Sequence, residues 1–298
     1  MQKTNYIDLH THSIASIDGT YTAKELIDIA LDSGIRYYAV SDHDNVSSIA
    51  SAVDYAQGKD IVVIPAIEIS SIIGNYPLHI LGYNIDYNSK GIKDRVEFVR
   101  NALNGFAEAA IKKSLEYGFK FNPDDVYAMR DDHLVCEEMI GQAVLGNPEN
   151  DNDERLMEFR YPNRLSDNPT FNFYKEFFGK GKPLNIVYDF NMPINQASKL
   201  IHDNGGKMFL AHPTYNIGHD EKILEEIISY GLDGIEVFSS YHDDKDTEFY
   251  YNQAKAHNLM MSVGSDFHGR SKPAIKMGSI DYDEDELIKT LKLLEVFR

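Results

Sequence analysis

Short runs rich in β-branched and aromatic residues alternate along this chain with longer stretches whose apolar positions recur every three or four residues. The first kind reads as buried strand and the second as amphipathic helix. Seven strands are predicted: Tyr6 to Leu9, Tyr37 to Val40, Ile61 to Ile69, Leu78 to Tyr83, Met208 to Ala211, Gly234 to Phe238 and Met260 to Gly264. Thr22-Ala-Lys-Glu25 forms a capping box that opens a helix through Ala30, with Gly34 as its stop. Further helices are predicted over Ser47 to Gln57, Ile194 to Asn204, Ile223 to Ser229, Thr247 to His257 and Glu284 to Val296. Strands joined through helices favour parallel pairing and an α/β fold. A seven- or eight-stranded β/α barrel is preferred over a doubly wound sheet, because an open sheet does not readily converge residues from both ends of a chain.

The alternation breaks once. Gly91 to Pro183 holds a long helix (Ile92 to Tyr117), a Pro-Asp-Asp turn at Pro123, further helix, and a polar tract from Gly146 to Glu154 without periodicity. The expected organisation is a barrel built from residues 1–90 and 184–298, with residues 91–183 as a mainly helical insertion capping its mouth.

Composition narrows the class. With 43% hydrophobic and 26% charged residues, the chain has the make-up of a soluble globular protein. No apolar run approaches the roughly 18 residues of a membrane helix, and the first residues leave no room for a signal peptide. A single cysteine, Cys136, excludes an intrachain disulfide framework and fits a reducing cytoplasm, with a structural role for the thiol. The net charge of −18 argues against tight binding of long nucleic acid. It leaves room for a small phosphorylated ligand, since divalent cations in a pocket reverse the local sign.

At the two poles of the chain stand pairs spaced i,i+2: His10 with His12, and Asp266 with His268. Each follows a strand-like run, where alternation puts both members on one face, so each pair can chelate a single ion. Similar runs end at other candidates. His43, in Ser41-Asp-His-Asp44, reads as a ligand with Asp42 supporting its ring. Asp18 lies in a turn, His79 just inside a strand, and His212 at the end of Leu-Ala-His-Pro. Glu68 sits in Pro-Ala-Ile-Glu-Ile, where a carboxylate is costly unless paired or metal-bound. His242, after the sixth strand, is the candidate to touch substrate and donate a proton. His133, His202, His219 and His257 read as ordinary helix-end or solvated histidines. Imidazole and carboxylate without thiolate suit Mn, Fe or Zn. Nine candidate ligands are too many for one ion and imply two or three divalent metal ions. Phosphate-ester hydrolysis is the reaction that best uses such a cluster.

Asp8-Leu-His-Thr-His-Ser13, Ser41-Asp-His-Asp44, Glu68, His79, Ala211-His-Pro213 and Gly264-Ser-Asp-Phe-His-Gly269 together resemble the PHP (polymerase and histidinol phosphatase) superfamily, in family order over nearly the whole chain. The resemblance implies a distorted (β/α)7 barrel with a two- or three-metal phosphoesterase site. It would place His10, His12, Glu68 and Asp266 on one ion. Glu68 would bridge to a second, held also by His79 and His212, while Asp18, His43 and His268 would hold a third. Here Ile17 lengthens the usual Ser-Asp-Gly spacing by one residue. The helical insertion, Gly179-Lys-Gly-Lys-Pro183 and Gly205 to His212 look like the TrpH-type branch, which acts on nucleotides.

The expected activity is hydrolysis of phosphate from nucleotide substrates, such as 3′,5′-nucleoside bisphosphates or 5′-phosphorylated short oligonucleotides, by a metal-activated hydroxide. Lys180, Lys182, Arg130, Arg160 and Arg164 are the candidates for holding the non-reacting phosphate. Histidinol-phosphate phosphatase, an amidohydrolase, or a non-catalytic metal-binding PHP module are the competing readings.

Overall fold

The computed structural model describes residues 5–16, 18–129, 135–186 and 190–296. Arg130, His133 and Ile17 lie outside the described residues. The strands are β1 (Ile7–Asp8), β2 (Tyr37–Tyr38), β3 (Val62–Val63), β4 (Ala66–Ile73), β5 (Tyr76–Tyr83), β6 (Met192–Pro193), β7 (Lys207–Leu210), β8 (Gly234–Ser239) and β9 (Met260–Gly264). The α-helices are α1 (Ala23–Asp32), α2 (Ser47–Ala56), α3 (Lys90–Glu116), α4 (Pro123–Ala128), α5 (Glu137–Gly146), α6 (Pro169–Phe173), α7 (Ile194–Asp203), α8 (Pro213–Ile217), α9 (Glu221–Ser229), α10 (Asp244–Ala256) and α11 (Glu284–Leu293).

The chain divides into two compact units, Met1–Val96 with Asn191–Arg298, and Glu97–Phe190. In the first, β1, β2 and β3 pair parallel in that order, and a second sheet runs β6-β4-β5-β7-β8-β9. Its β4–β6, β7–β8 and β8–β9 pairs are parallel, while β4–β5 and β5–β7 are antiparallel. The fold is thus α/β and rich in parallel pairs. Hydrogen bonds run between the two sheets as well. The Leu9 amide donates to the Val263 carbonyl at 3.0 Å, and single parallel bridges join Thr11 to Phe267 and His43 to Glu68.

Two local features depart from expectation. The run Ile61 to Ile69 is not one strand: it breaks at Ile64-Pro65, where Pro65 has no amide to donate. The β3 piece then pairs with β2 and the β4 piece with β5 and β6. β4 and β5 also extend toward each other into a hairpin closed by Gly74 and Asn75, a two-residue turn pair.

The helices of this unit form for the reasons visible in the chain. The Thr22–Glu25 capping box is present at α1, which buries Ala23, Leu26, Ile27 and Ala30. α7 buries Ile194, Ala197, Ser198 and Ile201, the same i, i+3, i+4, i+7 stripe. These faces pack on strands buried on both sides, β8 along its whole length.

The second unit has its own core of Phe119, Phe159, Phe173 and Phe177 packed with Ile111, Val126, Ile140 and Val144. Pro123 is the first residue of α4 rather than a turn, because the Asn122 side chain caps it and a proline at that position forfeits no helical hydrogen bond. The polar tract forms two 3₁₀ turns, Pro148–Asn150 and Glu154–Phe159.

Candidate metal centre

The site gathers at strand ends of the first unit. His10 and His12 follow β1, His43 follows β2, His212 follows β7, and Asp266 and His268 follow β9. Glu68 and His79 lie within the hairpin strands. Ser70 pairs with His79 and Glu68 with Leu81, so Glu68 and His79 are diagonal neighbours on one face.

Glu68 is fully buried and central. Its Oε2 lies 3.1 Å from His10 Nε2, 3.0 Å from His12 Nε2 and 3.0 Å from His43 Nδ1. Its Oε1 lies 2.9 Å from His79 Nδ1 and 3.1 Å from His212 Nε2. Asp266 Oδ1 closes the first group, 3.3 Å from His10 Nε2 and 3.0 Å from His12 Nε2. A third group holds Asp18 Oδ2, 3.0 Å from His268 Nε2 and 3.7 Å from His43 Nε2, with the His12 ring stacked on His268 at 4.0 Å. Three sets of ligand atoms therefore converge: His10, His12, Glu68 and Asp266; His43, Glu68 and His79; and His12, Asp18, His43 and His268. His212 joins through Glu68.

These groups fit divalent cations on two counts. First, a cation with ligand bonds near 2.1 Å holds adjacent ligands about 3.0 to 3.4 Å apart, and the His10 and His12 contacts to Glu68 and Asp266 fall between 3.0 and 3.3 Å. Second, His10, His12 and His268 Nε2, His43 and His79 Nδ1, and Glu68 Oε2 are buried yet make no hydrogen bond of acceptable direction. A buried polar atom without a partner is expensive, and cations shared within the three groups would satisfy them.

The ring nitrogens facing away are fixed. His10 Nδ1 lies 2.9 Å from Glu236 Oε1, His12 Nδ1 lies 2.9 Å from Ser16 Oγ, and His268 Nδ1 lies 2.8 Å from the Asp266 carbonyl. A proton on each Nδ1 leaves the Nε2 lone pair for an ion.

Electrostatics express the same demand for positive charge. Burial works against protonating His10, but Glu68, Glu236 and Asp266 outweigh it and hold its pKa well above the usual imidazole value. Burial likewise opposes a proton on His12, yet Asp266 and Glu68 raise it to about 9. Burial pushes His43 down to about 3, which keeps it a neutral donor. Glu68 and Asp266 stay ionised despite burial because the surrounding imidazoles hold them well below the carboxylate range. Asp18 is held low against burial by His43 and His268.

The backbone is strained where it presents these groups. Asp266 has φ +56° and His212 φ +24°, left-handed values that cost roughly 1–3 kcal/mol for residues other than glycine. Gly264 ends β9 because a Cβ there would run into the Glu236 carboxylate and the His10 side chain. The buried floor of Glu68 and His10 opens toward Asp18, His43 and His79, whose side chains are 39%, 19% and 33% exposed.

Several expectations need correction. The i,i+2 spacing does not put Asp266 and His268 on one ion: they fall in different groups, as the resemblance implies, because the left-handed Asp266 takes the pair out of strand alternation. Asp42 does not support the His43 ring. Its carboxylate accepts the Ser13 amide at 2.6 Å and the Ser13 hydroxyl at 2.8 Å, along with the Ser48 hydroxyl, and so ties the loop after β1 to the loop after β2. His242 is a poor proton donor: Nδ1 donates to the Val237 carbonyl at 2.8 Å, Nε2 faces the Thr214 amide at 3.5 Å, and burial lowers its pKa.

Lys180, Lys182, Arg160 and Arg164 lie in the second unit. Lys182 pairs with Glu176, Arg160 with Asp151 and Arg164 with Glu158, while Lys180 is exposed. His202, His219 and His257 pair with Asp233, Asp246 and Glu225. Burial pushes the Cys136 thiol up to about 12, which removes it as a nucleophile.

Sequence reasoning missed Glu236, fully buried in β8, and the pair Tyr241 and Lys272 on Asp266. Glu236 carried a usable signal, a lone carboxylate in Gly-Ile-Glu-Val-Phe, the same signal that marks Glu68. Among the described residues, no helix is long and apolar enough to cross a membrane.

Residues 8–150 match the PHP domain. The 5′-3′ exoribonuclease Rnm of Escherichia coli is 28% identical over 286 residues, covering 93% of this chain and 91% of its own length. The 3′,5′-nucleoside bisphosphate phosphatase of Chromobacterium violaceum is 27% identical, covering 88% of this chain and 87% of its own. Among solved structures, an amidohydrolase from Chromobacterium violaceum superimposes with a TM-score of 0.76 at 22% identity, over 97% of this chain and 96% of its own. At that identity the likeness concerns the fold. The family match covers the stretch that runs from before His10 to beyond His79, and the relatives are alike over most of the chain, so the chain carries a PHP domain.

Proposed function

We propose that this protein is a metal-dependent phosphoesterase acting on nucleotide-type substrates, 3′,5′-nucleoside bisphosphates or short 5′-phosphorylated oligonucleotides. The observation that carries the reading is Glu68: one oxygen faces His10, His12 and His43, and the other faces His79 and His212. A carboxylate so divided suits a bridge between two ions. The relatives named for bisphosphate and 5′-end hydrolysis support the substrate class.

Two or three Mn, Fe or Zn ions would supply Lewis acidity at phosphorus and lower the pKa of water toward neutrality. The chain's own residues do the rest. Glu68 and Asp266 remain anionic and hold positive charge in a buried floor. Glu236 fixes the tautomer of His10, and Ser16 holds the His12 ring through Nδ1. Asp18, His43 and His79 form a half-buried rim, where a phosphoryl group would arrive. We also read the strands as one distorted barrel, supported by the His43–Glu68 and Thr11–Phe267 bridges.

The test is phosphate release by the metal-loaded chain, prepared aerobically and anaerobically, from adenosine 3′,5′-bisphosphate, 5′-phosphorylated oligonucleotides and histidinol phosphate. Preferential turnover of either nucleotide is expected. Preference for histidinol phosphate, or bound metal with no turnover on any phosphoester, would overturn the reading.

A further inference from the structure

Asp266 uses only one of its oxygens in the ligand group. Its Oδ2 points away and accepts the Tyr241 hydroxyl at 2.6 Å and the Lys272 ammonium at 2.7 Å. Lys272 also donates to the Tyr241 oxygen at 2.8 Å, so the three groups form a closed triangle. Tyr241 follows β8, and Lys272 lies just beyond the short turn Gly269–Ser271 that follows β9. The triangle therefore ties two loops to one carboxylate.

Asp266 needs such a tie. Its backbone is left-handed, and rotation about the last side-chain bond of an aspartate is soft, so nothing in the residue itself selects which oxygen enters the site. A carboxylate free to rotate can present two oxygens or none. We propose that Tyr241 and Lys272 are positioning residues for the metal centre, holding Asp266 Oδ2 so that Oδ1 alone faces His10 and His12, and thereby setting the affinity for the ion those three residues would hold together with Glu68. The inference rests on the metal-dependent reading above. Lys272 adds a charge argument: its ammonium balances the outer oxygen of a carboxylate in a site already crowded with anions.

The experiment is equilibrium dialysis of the full chain against manganese(II), with wild type, Y241F, K272M and K272R, alongside thermal unfolding of the metal-free proteins. Outer partners of metal ligands typically contribute ten- to a hundredfold in affinity. Y241F and K272M are expected to weaken one bound ion by about that factor and leave the metal-free unfolding temperature nearly unchanged, with K272R recovering most of the affinity. Wild-type affinity in both Y241F and K272M overturns the inference. So does an arginine variant no better than methionine. A wild-type chain that binds none of manganese, iron and zinc in the same dialysis overturns the metal-dependent reading itself, a result distinct from either.

Discussion

Glu236 Oε1 lies 2.9 Å from His10 Nδ1, and the same carboxylate uses Oε2 to accept the backbone amide of His212 at 2.7 Å. One side chain thus orients a ring on one ligand and the backbone of another, from strands that are distant in sequence. Glu236→Gln keeps the shape but replaces one acceptor oxygen with a donor and removes the anion that makes His10 a stronger ligand. The expected result is a loss of about ten- to a hundredfold in metal affinity, measured by competition with a chelating dye. Glu236→Ala should also lower stability by about 1–3 kcal/mol, because the buried His212 amide loses its acceptor. Unchanged metal affinity in the glutamine variant would refute the orienting role.

Glu68→Gln removes the charge at the centre of two ligand groups while keeping the volume. Loss of a shared ligand forfeits several kcal/mol of charge stabilisation, so turnover should fall on the order of a thousandfold or more. The bound metal per chain, measured by emission spectroscopy, should drop together with the rate. Ala at His10 or Asp266 is expected to abolish turnover in the same assay. Near-normal rates in any of these variants would remove that residue from the centre.

Much of this cluster was legible because its side chains lie at the ends of apolar runs, where a buried imidazole or carboxylate stands out from its neighbours. His10, His12, Glu68 and His212 are visible for that reason. What was not legible depends on partners far away in sequence. Asp42 sits beside His43 in the chain but spends its oxygens on Ser13 and Ser48. Lys272 and Tyr241 meet Asp266 only after two loops have been placed, and neither carries a local signature. The β4–β5 hairpin was hidden for a different reason. Ser70 and Ser71 interrupt the apolar run of β4 and β5 begins with an exposed Tyr-Pro, although Gly74-Asn75 marks the turn.

Asp44 tests how the loop after β2 is held. Its amide donates to the Glu68 carbonyl at 2.8 Å, and its carboxylate receives the Arg95 guanidinium at 2.8 Å, with both side chains buried. Removing one partner of a buried ion pair leaves the other uncompensated, so Arg95→Met should destabilise the protein by about 3–5 kcal/mol. Replacing both, as R95M with D44N, should cost clearly less. Denaturant unfolding of the two variants checks this; equal losses would mean that Arg95 acts through packing alone.

Metal removal should make stability fall with rising pH. In the metal-free chain, burial opposes a proton on His12, but Asp266 and Glu68 outweigh it and raise its pKa to about 9. An unfolded histidine titrates near 6.5, so the folded state binds this proton more tightly. Its contribution is therefore complete below about pH 6.5 and disappears as the pH rises through about 9. His10 is raised in the same direction by its carboxylates. The chelator-treated protein should lose unfolding temperature steadily across that interval. A bound ion requires the neutral ring, so metal binding releases protons and tightens over the same range. The gap in unfolding temperature between metal-loaded and metal-free protein should widen from pH 6.5 to 9, read by calorimetry in matched buffers. A metal-free unfolding temperature that stays level or climbs there would mean that the buried carboxylates do not hold protons on His10 and His12, and the case that this pocket demands a cation would lose its electrostatic half.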